Sequence, residues 1–403
     1  MILRIAWRNI WRSPNRSLVI IGSIGLGLWA ALFLTAFYNG AVQQRIRSAI
    51  DTELAHIQLH HPAFREDYDL QFKLPDAGRM LDSIRQWPGV QAATGRIILQ
   101  GMASSASGST GVNIQGVMPG HEITVSRLFT FVREGRYLQD SGKHEILVGR
   151  KLMQKLKLQP GSKMVLTFND ASGNIASGAF RIAGVFETVN APYDASQVFI
   201  HIREAADLSG LGTNMNQVAI LLNDDGQVDA MTRELARRWP QTSVQSWKEI
   251  SPEMQLLVVS FDRMILVYMG IIILALTFGI VNTMMMSVLE RTREIGMLLS
   301  LGMNKARIFV MITLETLLLV LAGCPGGILA ALLTIMGTRK SGINLAIFSE
   351  TFSSFGYSTL IYPSLAARQF FIMMALVIFA ALISALFPAR RALSLKPADA
   401  VRK

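Results

Sequence analysis

Histidine, carboxylate, serine and lysine side chains are where chemistry would sit, and in this 403-residue chain their spacing assembles no reaction centre. His56, His60 and His61 form the one histidine cluster; His56 and His60 share a strand face, but no carboxylate stands beside them at ligand spacing. There is no His-Glu-x-x-His zinc helix and no Gly-x-Ser-x-Gly elbow, and no spacing singles out a serine, histidine and aspartate as a triad. The nearest string to a phosphate-cradling loop, Gln159-Pro160-Gly161-Ser162-Lys163, lacks the first glycine and carries Lys and Ser in reversed order. No catalytic residue, metal ligand or cofactor-binding residue is therefore assigned. If the chain takes part in ATP-driven work, another subunit supplies the energy.

The polar residues that remain informative lie in apolar runs. Glu315 sits some eight residues into one of them, where an ionised carboxylate costs about 2.5–3.5 kcal/mol on insertion scales. It should face protein or be protonated, either pairing with a basic residue at the cytoplasmic rim or on a neighbouring span and passing movement on, or serving only as a packing pair. Asn282 has the same status, as glue between helices. Gly323, Pro325, Gly326 and Gly327 interrupt the run that holds Glu315 and allow a kink or a close helix approach.

Between two such runs lies Glu290 to Met303. Ile295, Leu298, Leu299, Gly302 and Met303 fall at i, i+3, i+4, i+7 and i+8, an apolar stripe on a helix that also carries Gly296, while Glu290, Arg291, Arg293 and Glu294 load its first turn. Such a stripe either docks into a groove or rests in the lipid interface as a connector.

Four stretches are long enough to span a bilayer: Leu18 to Tyr38, Met264 to Leu289, Ile308 to Thr338 and Gln369 to Phe387. Charge orders them. The net charge of +11 suggests nucleic acid, but of 39 basic and 28 acidic residues, 22 of each lie in residues 43–256, leaving 17 basic against 6 acidic beside the apolar runs. Arg4, Arg8, Arg12 and Arg16 precede the first run; Arg291, Arg293, Lys305 and Arg307 separate the second and third; Arg390, Arg391, Lys396, Arg402 and Lys403 follow the fourth. Only Arg263, Arg339, Lys340 and Arg368 stand at the opposite ends. Three basic clusters on one side of an even number of spans is the positive-inside arrangement, with both termini cytoplasmic; nucleic-acid binding is excluded.

The expected division is an interfacial elbow helix at 1–17, spans at 18–42, 257–289, 307–338 and 367–388, an outside α+β domain at 43–256, a cytoplasmic helix at 290–306, an outside loop at 339–366 and a cytoplasmic tail at 389–403. In the elbow, Leu3, Trp7, Ile10 and Trp11 form a stripe at headgroup depth, with Arg4, Arg8 and Arg12 toward anionic lipid before a break at Ser13-Pro14-Asn15. No small-residue cleavage site follows the first run, which is expected to stay as an anchor. The single cysteine, Cys324, lies in the third run, so the outside domain has no disulfide.

That domain alternates strand-like and helix-like patterns. Strands are expected at Ala55–His60, Thr94–Ser104, Gly111–Val117, Lys163–Asn169, Gly178–Thr188, Gln197–His201 and Gln217–Leu222. Helices are expected at Asp76–Gln86, Gly149–Leu156, Arg203–Leu208 and Val228–Trp239, with a tight hairpin turn over Asn169–Asn174.

This order of elbow, span, large outside domain, three further spans and basic tail resembles the FtsX/MacB/LolC-type permeases of ABC transporters. The agreement is carried by Ala6-Trp7-Arg8-Asn9-Ile10-Trp11-Arg12, by Glu290 to Gly302 with its Arg-Glu-Ile-Gly and Leu-Gly, by Ile308 and Glu315 before the glycine cluster, and by Pro388-Ala389-Arg390-Arg391-Ala392 with Lys396-Pro397-Ala398-Asp399-Ala400. The resemblance implies an α-helical membrane protein with four spans and a MacB-like outside domain built of Porter-type and Sabre-type halves. It makes the segment after the second span a coupling helix that docks on a cytoplasmic ABC ATPase, which binds the ATP and Mg. It also implies a dimer with a second copy or a paralogue, working by transmitted movement.

Asn39-Gly40 and the passage from Glu145-Ile146-Leu147-Val148-Gly149 into a helix look most like the lipoprotein-releasing LolC/LolE branch. The hook hairpin that recruits a periplasmic carrier in that branch is here only the Asn169–Asn174 turn, so a carrier, an adaptor or the lipoprotein itself stays open as the outside partner. With about 17 residues before the first span, the ATPase is expected to be a separate chain. The leading reading is lipoprotein extraction at the inner membrane. MacB-like efflux through an adaptor, FtsX-like activation of a cell-wall hydrolase, and a membrane-anchored enzyme or sensor are the alternatives.

Overall fold

Uncharged runs fix the helices of one part of the chain and alternating apolar residues fix the strands of the other. A computed structural model describes residues 6–8, 10–12 and 14–393. Leu3, Arg4, Asn9, Ser13, the side chain of Arg16 and the basic tail from residue 394, with Lys396-Pro397-Ala398-Asp399-Ala400, Arg402 and Lys403, lie outside the described residues. Contacts divide the chain into a spanning unit (residues 1–42, 258–344 and 360–403) and an inserted unit (43–257 and 345–359).

Among the described residues, four helices are long and apolar enough to cross a membrane: Pro14–Ala49, Pro252–Glu290, Lys305–Ser341 and Ala367–Leu393. In the spanning unit they share one core, to which Ile24 and Leu28, Leu276 and Ile280, Ile312 and Leu319, and Val377 and Ala381 contribute in turn. The glycine cluster does not interrupt the third span, which runs unbroken through Pro325. Its use is close approach. A Cβ at Gly327 would stand 2.5 Å from the Gly25 carbonyl oxygen on the first span, and one at Gly323 3.0 Å from that of Ile21, whereas one at Gly326 would meet nothing within 4 Å. Trp29 Nε1 donates to Thr334 Oγ1 at 3.1 Å across the same pair of helices. Asn39 donates to the Ser364 carbonyl at 2.8 Å and Ser364 N–H to the Ala36 carbonyl at 2.8 Å, tying the end of the first span to the chain entering the fourth.

The inserted unit is α+β. Its strands are β1 (Ile57–His60), β2 (Val90–Ser105), β3 (Gly108–Val117), β4 (Val132–Gly135), β5 (Glu145–Gly149), β6 (Lys163–Asn169), β7 (Ile175–Phe186), β8 (Gln197–His201), β9 (Gln217–Leu222) and β10 (Ser243–Ser246). They pair in the order β10-β1-β9-β2-β3-β8-β5-β7-β4, and β6 joins β7 back to β2. The strands β2, β3, β8, β5, β7 and β6 therefore close a ring, filled by Leu99, Ile114, Val148, Leu166, Phe180 and Ile200 among others. The remaining part, β10-β1-β9-β2, is antiparallel throughout, and helices Ala77–Arg85 and Val228–Arg238 each link two strands split by a third. The long β2 belongs to both parts. The Asn169–Asn174 turn forms as expected, with Asp170 Oδ1 accepting from the amides of Ser172 and Asn174, both at 2.8 Å.

Candidate functional site

The segment after the second span folds as a separate short helix because Arg291 leaves the helical path (φ −100°, ψ 15°) between Glu290 and Thr292. The helix Thr292–Ser300 ends in a paired C-cap. Met303 N–H donates to the Leu298 carbonyl at 3.0 Å and Gly302 N–H to that of Leu299 at 3.1 Å, with Gly302 at φ +88°. Gly302 thus serves the turn, a role its place in the apolar stripe did not reveal. The third span then starts on Asn304, whose side chain accepts from Ala306 N–H at 3.1 Å.

The two faces of this helix differ. Ile295 is 3% exposed in the core of the spanning unit, Gly296 is buried, and Leu299 and Met303 pack against that core. Leu298 is half-buried. The stripe read from the sequence therefore turns largely toward the chain's own spans, because Ile295, Leu299 and Met303, at i, i+4 and i+8, fall on the side that packs on their shared core. The outward face carries Arg293, Met297, Ser300 and Leu301, with Met297 49% and Leu301 85% exposed. Sequence reading missed this second stripe, although its spacing of 293, 297, 300 and 301 is as helical as the first.

Charges tie the helix to two other elements. Arg12, at the elbow, reaches Glu294 at 2.5 Å; Arg291 Nε reaches the other oxygen of Glu294 at 3.2 Å; and Arg291 Nη1 lies 3.3 Å from both oxygens of Glu315. A line of alternating charge thus runs from elbow to short helix to third span. Its ends differ in strength. Arg12 is mostly exposed, so its pair contributes about 0–1 kcal/mol. Glu315 is buried, and removing the guanidinium that faces it is far more costly. Arg12, expected to face lipid headgroups, is instead drawn to Glu294. Trp7 and Trp11 are about half exposed and pack edge to face at 6.1 Å, while Ala6 and Ile10 are buried. Glu290 ends the second span on its exposed side. Asn282 is also exposed, where glue between packed helices was expected: Ile280, Met284 and Val288 take the buried side of that span, and Asn282 falls off it.

The histidines of the sequence cluster part company. His56 Nδ1 accepts from Leu222 N–H at 2.9 Å and its Nε2 faces Asp225 at 2.9 Å; His61 Nδ1 accepts from Ala63 N–H at 3.3 Å; His60 is buried on β1.

Residues 17–238 match the family model of the MacB-like periplasmic core domain, and residues 266–397 match that of the FtsX-like permease C-terminal region. A Neisseria meningitidis protein, lipoprotein-releasing system transmembrane protein LolC, is 22% identical over 411 residues, covering 96% of this chain and 94% of its own. A macrolide export ATP-binding/permease protein MacB of Chlorobaculum tepidum is 30% identical over 124 residues, covering 31% of this chain and 16% of its own. Among solved structures, the periplasmic region of MacB from Actinobacillus actinomycetemcomitans aligns at a TM-score of 0.37 and 11% identity, covering 53% of this chain and 98% of that one.

Proposed function

Since this chain belongs to the FtsX/MacB/LolC family of ABC transporter permeases, we propose that it carries the movement of a separate cytoplasmic ATPase to its inserted domain, and that the movement extracts lipid-anchored proteins from the membrane. The observation that carries this reading is the helix Thr292–Ser300: one face packed on the spans, the other presenting Met297 and Leu301, and Glu294 and Arg291 linking it to the elbow and to buried Glu315. A partner that pushes on the outward face displaces a rigid helix whose charges report to two other elements. ATP and Mg are held by the partner ATPase.

The three basic clusters support a topology with both termini and the short helix on the cytoplasmic side of the inner membrane and the inserted domain outside. Its split four-stranded part is the Porter-type half and its closed ring the Sabre-type half. A second copy or a paralogue completes the complex. Lipoprotein release is favoured over efflux because the LolC relative aligns along nearly the whole chain, the MacB relative along less than a third. The test is to purify the tagged protein in mild detergent and assay ATP hydrolysis with lipoprotein added. A co-purifying ATPase stimulated by lipoprotein supports extraction; an ATPase indifferent to lipoprotein refutes that cargo, and absence of any ATPase refutes the coupling role.

A further inference from the structure

Between the third and fourth spans, residues 342–366 carry one charged side chain, Glu350, whereas residues 43–256 carry 44. The chain closes on itself there. Ile343 pairs with Ile361 and Asn344 with Leu360, and Leu345 N–H donates to the Thr359 carbonyl at 2.8 Å. Inside the closure lie a 3-10 turn, Ala346–Phe348, and the helix Ser349–Ser354, after which Tyr357 N–H donates to the Phe352 carbonyl at 2.8 Å.

At about 100° per residue, Ile347, Phe348, Thr351, Phe352 and Phe355 share one side of this segment, and Ser349, Glu350, Ser353 and Ser354 share the other. Folding leaves the apolar side uncovered: Ile347 is 94%, Phe348 56% and Phe355 70% exposed. The loop is nevertheless braced. Phe352 is half-buried and stands edge to face with Tyr357 at 6.3 Å. Gly356, at φ +73°, lies against the buried Arg45, where a Cβ would stand 2.6 Å from Nε. A braced loop that holds three large apolar side chains in the open marks a contact surface.

We propose that Ala346–Phe355 lies in the lipid interface at that end of the third and fourth spans, with Ile347, Phe348 and Phe355 at the acyl boundary and Glu350 and the serines toward water. Connectivity favours lipid as the occupant. Ile347 stands six positions after Ser341, which ends the third span, and Phe355 twelve before Ala367, which starts the fourth. Six residues reach at most about 20 Å, so the segment is tethered at the membrane surface. Arg339, Lys340 and Arg368 flank it where headgroups are met. A protein partner is met through an apolar centre with a polar, often charged rim, and here Glu350 is the single charge. The inserted unit, to which residues 345–359 belong, then has its own foothold in lipid. The inference rests on the four spans and not on the cargo or the coupling role.

The full-length protein carrying Cys324→Ala, which removes the single cysteine, is placed in nanodiscs of phosphatidylethanolamine and phosphatidylglycerol. Spin labels go on Ile347→Cys and Phe355→Cys, with Glu350→Cys and Ser354→Cys as controls, and relaxation by oxygen and by a water-soluble nickel chelate is compared. Oxygen should dominate at 347 and 355, at a depth of about 5–10 Å into the headgroup and acyl boundary, and nickel at the two controls. Nickel dominance at all four positions, a loop in water, overturns the proposal. So does shielding of 347 and 355 from both reagents, the signature of a second copy or a partner protein covering them. A check without substitutions uses the parent protein and a diazirine-bearing phospholipid. The tryptic peptide Ser341–Arg368 should carry adducts within Ile347–Phe355, and their absence would equally overturn the assignment.

Discussion

The two faces of the helix Thr292–Ser300 call for opposite outcomes from nearly the same substitution. Leu301 is 85% exposed and Ile295 3% exposed, although both are aliphatic and lie within two turns of each other. If Leu301 is covered by the ATPase, Leu301→Ala removes about three carbons from that interface, or about 2 kcal/mol at ~0.8 kcal/mol per methylene. That is roughly a 30-fold weaker Kd, with little change in the chain's own stability. Ile295→Ala instead opens a cavity in the spanning core and should cost about 2–5 kcal/mol of stability, leaving the affinity of folded protein for the ATPase unaltered. Nanodisc-reconstituted protein is titrated with the purified ATPase while thermal unfolding is followed in parallel. Parental affinity in Leu301→Ala, or weaker binding by Ile295→Ala or Leu299→Ala without loss of stability, would contradict the assignment of the outward face to the ATPase.

Replacing Arg291 by Met leaves Glu315 buried without its guanidinium and should destabilise the spanning unit by about 3 kcal/mol. A cycle with Glu315→Gln should give an interaction energy above ~0.5 kcal/mol in detergent unfolding, and simple additivity would deny the pair. Gly327→Ala, which meets the Gly25 carbonyl, should cost about 1–3 kcal/mol; Gly326→Ala one residue away should stay within about 0.5 kcal/mol, and equal effects would remove the close-approach argument. In the inserted unit, burial raises the Asp194 carboxyl from its usual 3.8 to about 7, against the bonds it accepts from Thr188. The folded state then holds a proton that the unfolded chain releases, so this group's contribution to stability is greatest below about pH 4, falls up to about pH 7 and is flat beyond. An unfolding series across that range should show Asp194→Asn removing the fall, and an unchanged slope would show that Asp194 is not its source.

The spans and most strands were legible because each rests on a local pattern: uncharged runs for the helices, period-two alternation for strands such as β1 and β6, and short continuous apolar runs for β8 and β9. Strands β4 and β10 escaped, being four-residue edges that each hold a single aliphatic residue. The closing of the ring by β6 escaped too, since pairing between β2 and β6 depends on residues more than sixty positions apart. At the candidate site, the amphipathic helix and the importance of Glu315 were visible, and Arg291 with Glu294 even shows the i, i+3 spacing of an ion pair. That Arg291 is also the partner of Glu315, 24 residues on, is a tertiary fact with no local signal. The choice of face was equally hidden. Ile295, Leu299 and Met303 form one apolar stripe and Met297 and Leu301 another, so periodicity alone cannot say which the spans will cover. Pro325 and its glycines suggested an interruption, but packing against the first span keeps the third helix continuous.

A photo-crosslinking residue placed at position 301, with a matched control at position 295, tests the docking of this helix most directly. In cells, position 301 should yield an adduct with an ATP-hydrolysing chain and position 295 only adducts within the protein itself. Adducts to the ATPase from position 295, or none from position 301, would contradict the docking face and with it the coupling role.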